Sequence, residues 1–393
     1  MNITFLLGNG FDCALGLETS YSSFYRWYLE QPTDSVNPHV QNFRKEIDKY
    51  VQKSPDAKPY WSDVETGLSQ YSENFTLDNI EIFFDCYEDL RNNLVSYLTQ
   101  QEERLYTTGV GKMQEIFSRQ IKKFIERVDA AERRSLLDVK NASKDKVHTF
   151  NFITFNYTTA LDRVYSSFSE TQTNGFGTWR NSSNNTSQLK VGRLVHAHGY
   201  LTRWPILGIC NSSDVKNQDL LKDEEFSTIM LKKKSLRETG ELWREDVEQL
   251  IADSTFICIF GMSLGNTDSD YWELLTKWLA ADCTHHLIVF WRSSDSKNSR
   301  ISLLEKRRET NFVKNKFSVF SWLTGDALDS VKSRIHVVLN TQDLFYLTKE
   351  ELENIVEPSA EETRQRYLEE FLKANEDAMV KECAAHYDNA TSN

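Results

Sequence analysis

Asn156 and His198 are the two side chains whose type and setting point most directly to chemistry. Asn156 closes the apolar run His148-Thr-Phe-Asn-Phe-Ile-Thr-Phe155. An amide at the carboxyl edge of a parallel sheet stands where ligands of open α/β folds bind. An N-cap or turn role before the Thr158–Asp162 stretch suits the same residue. Val191-Gly-Arg-Leu-Val-His196-Ala-His198-Gly199-Tyr200 reads as a further strand with both histidines on one side. Such a pair invites a metal, but no third ligand stands nearby and no metal is expected. His198, beside Gly199, reads instead as an acid/base group at a strand end.

Two glycine turns flank these residues in the chain. Ile3 to Leu7 is an apolar run suited to a buried parallel strand, and it stops at Gly8-Asn9-Gly10. Glycines there lack the Cβ that keeps backbone N–H groups away from a pyrophosphate. The third glycine is Gly16, whereas the dehydrogenase spacing would place it at position 13, here Cys13. The second turn, Gly261-Met-Ser263-Leu264-Gly265-Asn-Thr-Asp268, follows the strand Thr255–Phe260, and Asp268 has the position of a helix cap or first-turn residue. Two such turns suit the clasping of one nucleotide.

The elements that position these residues read as an α/β fold, a parallel sheet flanked by helices. Further strands are expected at Ile206–Cys210, His285–Trp291, Phe317–Trp322 and Ile335–Asn340. Helices are expected over Leu236–Ala252, from the second turn through Leu279, and over Ser296–Lys314. Between Tyr21 and Val147 the aromatic residues recur at helical spacing, as at Ile80, Phe83, Phe84 and Tyr87, and Met113 to Val139 reads as one long amphipathic helix. Thr171 to Ser187, rich in Ser, Thr, Asn and Gly, reads as a mobile loop, and Asn211 to Lys234 as charged and helical or looped. The organisation is then a discontinuous core of residues 1–20 and 148–345, a helical insertion at 21–147, and a charged helical tail at 346–393.

Bulk properties narrow the function. The chain has 393 residues and a formal net charge of −12, which argues against a surface built to hold nucleic acid or anionic membrane. No apolar run reaches the roughly 20 residues needed to span a bilayer, and no signal segment is evident, so a cytoplasmic location is expected. The six cysteines form no C-x-x-C pair, which speaks for reduced thiols rather than a zinc ribbon or a disulfide framework.

Leu7-Gly8-Asn9-Gly10-Phe11-Asp12, Gly16-Leu-Glu-Thr-Ser-Tyr21, Phe155-Asn156-Tyr157-Thr158, His196-Ala-His198-Gly199 and Gly261-Met-Ser263-Leu264-Gly265-Asn-Thr-Asp268, in this order, resemble the AbiH family of bacterial abortive-infection proteins. More distantly they resemble the NAD-binding core of sirtuins and of sirtuin-like NAD-hydrolysing defence proteins. That resemblance implies a Rossmann-like, sirtuin-like sheet with NAD as substrate or ligand. It gives Asn156 and His198 the catalytic roles, and Gly8, Gly10 and Gly16, with Gly261, Ser263 and Leu264, to the cofactor. Asp12 is a third catalytic candidate on its own chemistry, to hold a ribose hydroxyl, tune His198 or merely cap a helix, and Asn9, Phe11 and Asp268 in the same two turns are further cofactor-binding candidates. The four-cysteine zinc module of sirtuin deacetylases is missing, so deacetylation is not expected. Thr19-Ser20-Tyr21 and Asp12 also depart from the sirtuin pattern and leave the nucleotide's identity open.

The reading that results is an anti-phage effector that acts as an NAD glycohydrolase once triggered by a phage-derived factor or a partner defence protein. A nucleotide-binding sensor that controls a partner is the alternative, with a nuclease built on Asp12, His198 and Asp268 third. The aromatic insertion fits a homo-oligomer.

Overall fold

The computed structural model describes residues 1–32, 37–106, 110–170, 176–181, 184–203, 205–292, 302–319, 322–339, 341 and 344–345. The expected tail at 346–393 lies outside the described residues. Seven strands, β1 (Asn2–Leu7), β2 (Val147–Thr154), β3 (Thr178–Arg180), β4 (Thr186–His196), β5 (Ser254–Phe260), β6 (His286–Phe290) and β7 (Ile335–Val338), form one sheet in the order β3-β4-β2-β1-β5-β6-β7. Every pairing is parallel except that of β3 with β4. The fold is therefore α/β around a mostly parallel sheet.

The run Ile3-Thr-Phe-Leu-Leu7 becomes the central strand because both of its faces are covered. Ile3, Phe5 and Leu7 pack into one apolar cluster and Leu6 into the other. Thr4 is tolerated at the same depth because its hydroxyl meets that of Ser254 at 2.6 Å. One face of the sheet is covered by residues between Leu105 and Leu136, the other by Val247, Leu250, Trp272, Trp278 and Val331. A third cluster joins the aromatic helices between Phe24 and Leu98 to Leu201, Leu207, Ile209 and Met230.

Register is what assembles the site. Leu7 is level with Thr154 on one side and Phe260 on the other, and Thr154 is level with His196. Four strands thus end together. The backbone continues the alignment one residue further, with Phe155 N–H donating to Leu7 O at 2.9 Å, Gly8 N–H to Phe260 O at 3.0 Å and Ala197 N–H to Thr154 O at 2.8 Å. Because β2 and β5 leave β1 toward opposite sides, their carboxyl ends open a crevice there.

Several expectations are corrected by packing. Met113–Val139 is broken into the helices Val110–Lys122 and Ala130–Ala142 by a 3-10 turn at Phe124–Arg127, which turns Phe124 onto the sheet against Phe5 and Phe256 at 6.1 and 5.6 Å between ring centroids. Phe317 belongs to the helix Leu303–Val319 and not to a strand, because it packs on Trp272 and its carbonyl accepts from the Thr276 hydroxyl. The same helix replaces the one expected at Ser296–Lys314; residues 293–301 lie outside the described ones. Ile206–Cys210 is extended but outside the sheet, joined to Leu231 by an isolated bridge at Ile209, with Leu207 and Ile209 in the helical cluster and Ile206 packed with Leu236 and Trp243. Leu236–Ala252 is two helices, Lys232–Glu238 and Trp243–Ala252, parted at Gly240, whose φ of +69° no helix accommodates. Within Thr171–Ser187, Thr178–Arg180 is a strand because Trp179 packs on Phe150 at 5.5 Å. No helix among the described residues is long and apolar enough to cross a membrane.

Candidate functional site

A cavity of about 510 Å³ lies over the aligned strand ends. Its walls include both glycine turns, Asp12, Asn156, Thr158, His198, Glu65, Lys232 and Asp268. Of the residues singled out from sequence, Phe11 and Gly16 are not on this wall. Phe11 is fully buried in the core against Phe117 and Phe345, each at 5.7 Å, and Gly16 is a helix terminator at φ +85°, where Leu17 N–H reaches back to Asp12 O at 3.1 Å. Asn9 is on the wall and closes its own loop, Nδ2 donating to Thr19 O at 3.1 Å while Oδ1 accepts from the Thr19 hydroxyl.

The two glycine turns touch each other. Gly10 N–H donates to Gly261 O at 2.9 Å, and Phe11 N–H returns to Gly8 O at 2.8 Å. A Cβ on Gly10 would lie 2.4 Å from the Gly261 Cα, and one on Gly261 would lie 2.7 Å from the Gly10 Cα. These glycines are therefore required by backbone-to-backbone contact between turns, and the Gly10 N–H is already spent on Gly261. Leu264 adopts a left-handed φ of +53° with its side chain buried, so the second turn carries backbone strain of about 1–2 kcal/mol.

Asn156 and Asp12 form the floor. Asn156 Nδ2 donates to Asp12 Oδ1 at 2.7 Å and to Gly8 O at 3.2 Å, and the Thr158 hydroxyl donates to Asp12 Oδ2 at 2.6 Å. Neither residue caps a helix: Asp12 lies inside the helix Asn9–Ala14, and the next helix after Asn156 starts at Ala160. Burial pushes the Asp12 carboxyl up to about 7, against the downward pull of Thr158 and Asn156.

His198 stands on the turn beyond β4, 4% exposed, and His196 ends the strand itself. The two histidines go separate ways. His196 meets Asn156 O at 3.2 Å through Nδ1 and Asp162 at 2.8 Å through Nε2. His198 Nε2 is 3.2 Å from Asp268 Oδ1, off the hydrogen-bond line and without any other partner. Its ring is walled edge-on by Phe155 at 5.2 Å. Burial, then Lys232, lowers the His198 pKa below its usual 6.5, with Asp268 pulling the other way.

Asp268 sits at the N-cap of the helix Ser269–Ala281, but its side chain makes no cap bond. It accepts instead from Lys232 Nζ at 2.7 Å, and the same ammonium donates to Glu65 Oε2 and to Thr267 O, both at 3.0 Å. Burial opposes charge on Lys232, yet Asp268 and Glu65 hold its pKa well above that of an ordinary lysine. Burial likewise opposes charge on Asp268, but Lys232 and His198 hold it below the usual carboxylate range. Glu65 goes the other way: burial raises its carboxyl above the usual range, against the pull of Lys232. The cluster thus pairs Lys232 with Asp268, between Glu65 and His198.

With this geometry in hand, comparison with family models matches residues 4–290 to Bacteriophage abortive infection AbiH. The chain belongs to the AbiH family. The AbiH match runs from β1 to the end of β6 and takes in every residue of the floor and of the Lys232 cluster. No curated protein matches the chain.

Sequence reasoning missed two members of this AbiH site. Lys232 opens the run Lys232-Lys-Lys, which looks like a solvated face, and its neighbours Lys233 and Lys234 do keep 54% and 38% exposed side chains against 3% for Lys232. Glu65 lies in the helix Val64–Tyr71, 167 residues from its partner. Only the placement of Lys232 directly after Leu231, the residue bridged to Ile209, marks it as inward-facing.

Proposed function

We propose that this AbiH chain is an abortive-infection effector that hydrolyses the nicotinamide–ribose bond of NAD and depletes NAD once triggered. Family membership puts the chain among bacteriophage abortive-infection proteins; the enzymatic reading goes further and rests on the site. The observation that carries it is a buried His198, its pKa lowered chiefly by burial and its Nε2 turned to Asp268, on the same cavity wall as Asn156 at the crevice beside β1. Strand order supports a Rossmann-like, sirtuin-like core: the six parallel strands, numbered in chain order, stand 3-2-1-4-5-6, as in doubly wound sheets that take dinucleotides.

In this reading the C1′–N bond breaks with its electron pair going to the departing nicotinamide, a water oxygen bonds to C1′, and the water proton passes to His198. A neutral imidazole at pH 7 is the form that accepts a proton. Asn156, with Nδ2 committed to Asp12 and Gly8, presents Oδ1 to a ribose hydroxyl or to the water. Asp63 adds a carboxyl group to the wall, suited to a cationic pyridinium. Uncontrolled NAD loss would harm the host, so the effector is held in check until a trigger arrives.

The test is NAD loss and nicotinamide release by the purified protein, alone and with lysate of phage-infected cells, beside His198→Ala and Asn156→Ala. Turnover abolished by both substitutions supports the proposal. Saturable NAD binding without turnover under either condition would overturn it in favour of a nucleotide sensor.

A further inference from the structure

The protonation pattern of His198 follows from its surroundings. Nε2 is buried, has no hydrogen bond, and lies 3.2 Å from a carboxylate oxygen. That carboxylate is fixed as an anion: the Lys232 ammonium, itself 2% exposed, donates to the same Oδ1 at 2.7 Å. A lone pair on Nε2 would face the lone pairs of Asp268 in a setting with little water to separate them, a repulsion magnified by the low local dielectric. A proton on Nε2 turns the contact into an attraction. In a neutral imidazole the other nitrogen, Nδ1, then holds the lone pair.

From this we infer that Asp268, anchored by Lys232, is a positioning residue that fixes His198 as the Nε2–H tautomer, so that Nδ1 is the nitrogen that accepts a proton. The tautomer rests on geometry alone; the accepting role of Nδ1 rests on the hydrolase reading above. Lys232 thereby connects Asp268 to the helix Val64–Tyr71 through Glu65, so the aromatic helical segment is bonded to the lysine that anchors the group orienting His198. The 3.2 Å approach lies off the hydrogen-bond line.

The charged and titratable groups that face His198 are Asp268 on the second turn, Lys232 at the start of its helix, Arg244 on the helix Trp243–Ala252, and the rings of Tyr157 and Tyr271. The test is nitrogen-15 NMR of the histidine rings in the full chain at pH 7, with the His198 signals identified by their loss in His198→Ala. The wild type should show a protonated Nε2 and an unprotonated Nδ1. Asp268→Asn should replace that single form by a mixture and lower the His198 titration point, whereas Lys232→Met should raise it, each by roughly one unit. Opposite directions distinguish this from loss of structure, which would bring both variants to the value of a free histidine. Should Lys232→Met not fold, Asp268→Asn decides alone. A wild-type His198 with its proton on Nδ1, or a tautomer unchanged in Asp268→Asn, would overturn the inference. Absence of NAD hydrolysis would not, since the spectra do not depend on turnover; it would remove only the role given to Nδ1.

Discussion

Asn156 and Asp12 are joined by a 2.7 Å hydrogen bond that ties the end of β2 to the first helix, 144 residues away in the chain. The bond takes both donors of the Asn156 amide out of play once Gly8 O is counted, and it leaves a carboxyl group buried with no lysine or arginine paired to it among the described residues. Everything the floor does follows from those two facts.

The first consequence concerns pH. The Asp12 carboxyl has a folded pKa of about 7 against an ordinary 3.8, so the folded protein keeps a proton that the unfolded chain releases between these values. Stability from this group is therefore complete below about pH 4 and is lost as pH rises through 7. Urea unfolding of Asp12→Asn beside the wild type should show the variant losing less stability between pH 4 and 7. A steeper loss in the variant would contradict the burial account of Asp12.

The second concerns the contact between turns. Gly261 and Gly240 share nearly the same φ, +73° and +69°, but a Cβ on Gly240 meets nothing within 4 Å, whereas one on Gly261 runs into Gly10 and Phe11. Gly240→Ala should cost about 1–2 kcal/mol from backbone strain alone. Gly261→Ala should cost a further 1–3 kcal/mol or so, because backbone cannot step aside as a side chain can. Equal costs in thermal melts would mean that the turns do not need to touch.

The third separates the two acids that share Lys232. Burial raises the Glu65 carboxyl above its usual range, and glutamine in its place still accepts from the ammonium. Glu65→Gln should cost about 1 kcal/mol or less at pH 7. Because the folded pKa is raised, it should also remove a loss of stability that the wild type suffers between pH 4.5 and 8. Lys232→Met leaves Asp268 charged without its cation and should cost about 3–5 kcal/mol. Denaturant melts of the two variants in one buffer compare them directly, and similar losses would contradict the raised carboxyl of Glu65.

Much of the site's frame was legible because it depends on local patterns. Continuous apolar runs such as Phe256–Phe260 announce strands buried on both faces, and a glycine, asparagine or histidine directly after such a run is carried to the ligand edge by strand register. Glu65 and Lys232 were illegible for the opposite reason: each is an ordinary charged residue on a helix, and only the fold buries them against each other. The same holds for the break at Phe124–Arg127 and for the helix that absorbs Phe317, where contacts with the sheet and with Trp272 override periodicity. The Gly8–Gly10 turn was legible as a turn, but its contact with Gly261 across 251 residues was not.

The central claim is that this cavity hydrolyses NAD through His198 and Asn156. The most direct measurement is the rate of nicotinamide release from NAD by purified wild type, His198→Ala and Asn156→Ala, each with and without lysate of phage-infected cells. Release by the wild type that falls by about a hundredfold or more in His198→Ala, and comparably in Asn156→Ala, is the result expected from losing a proton acceptor and an orienting amide. Release that persists in both variants, or a wild type that binds NAD and leaves it intact in either condition, would contradict the account.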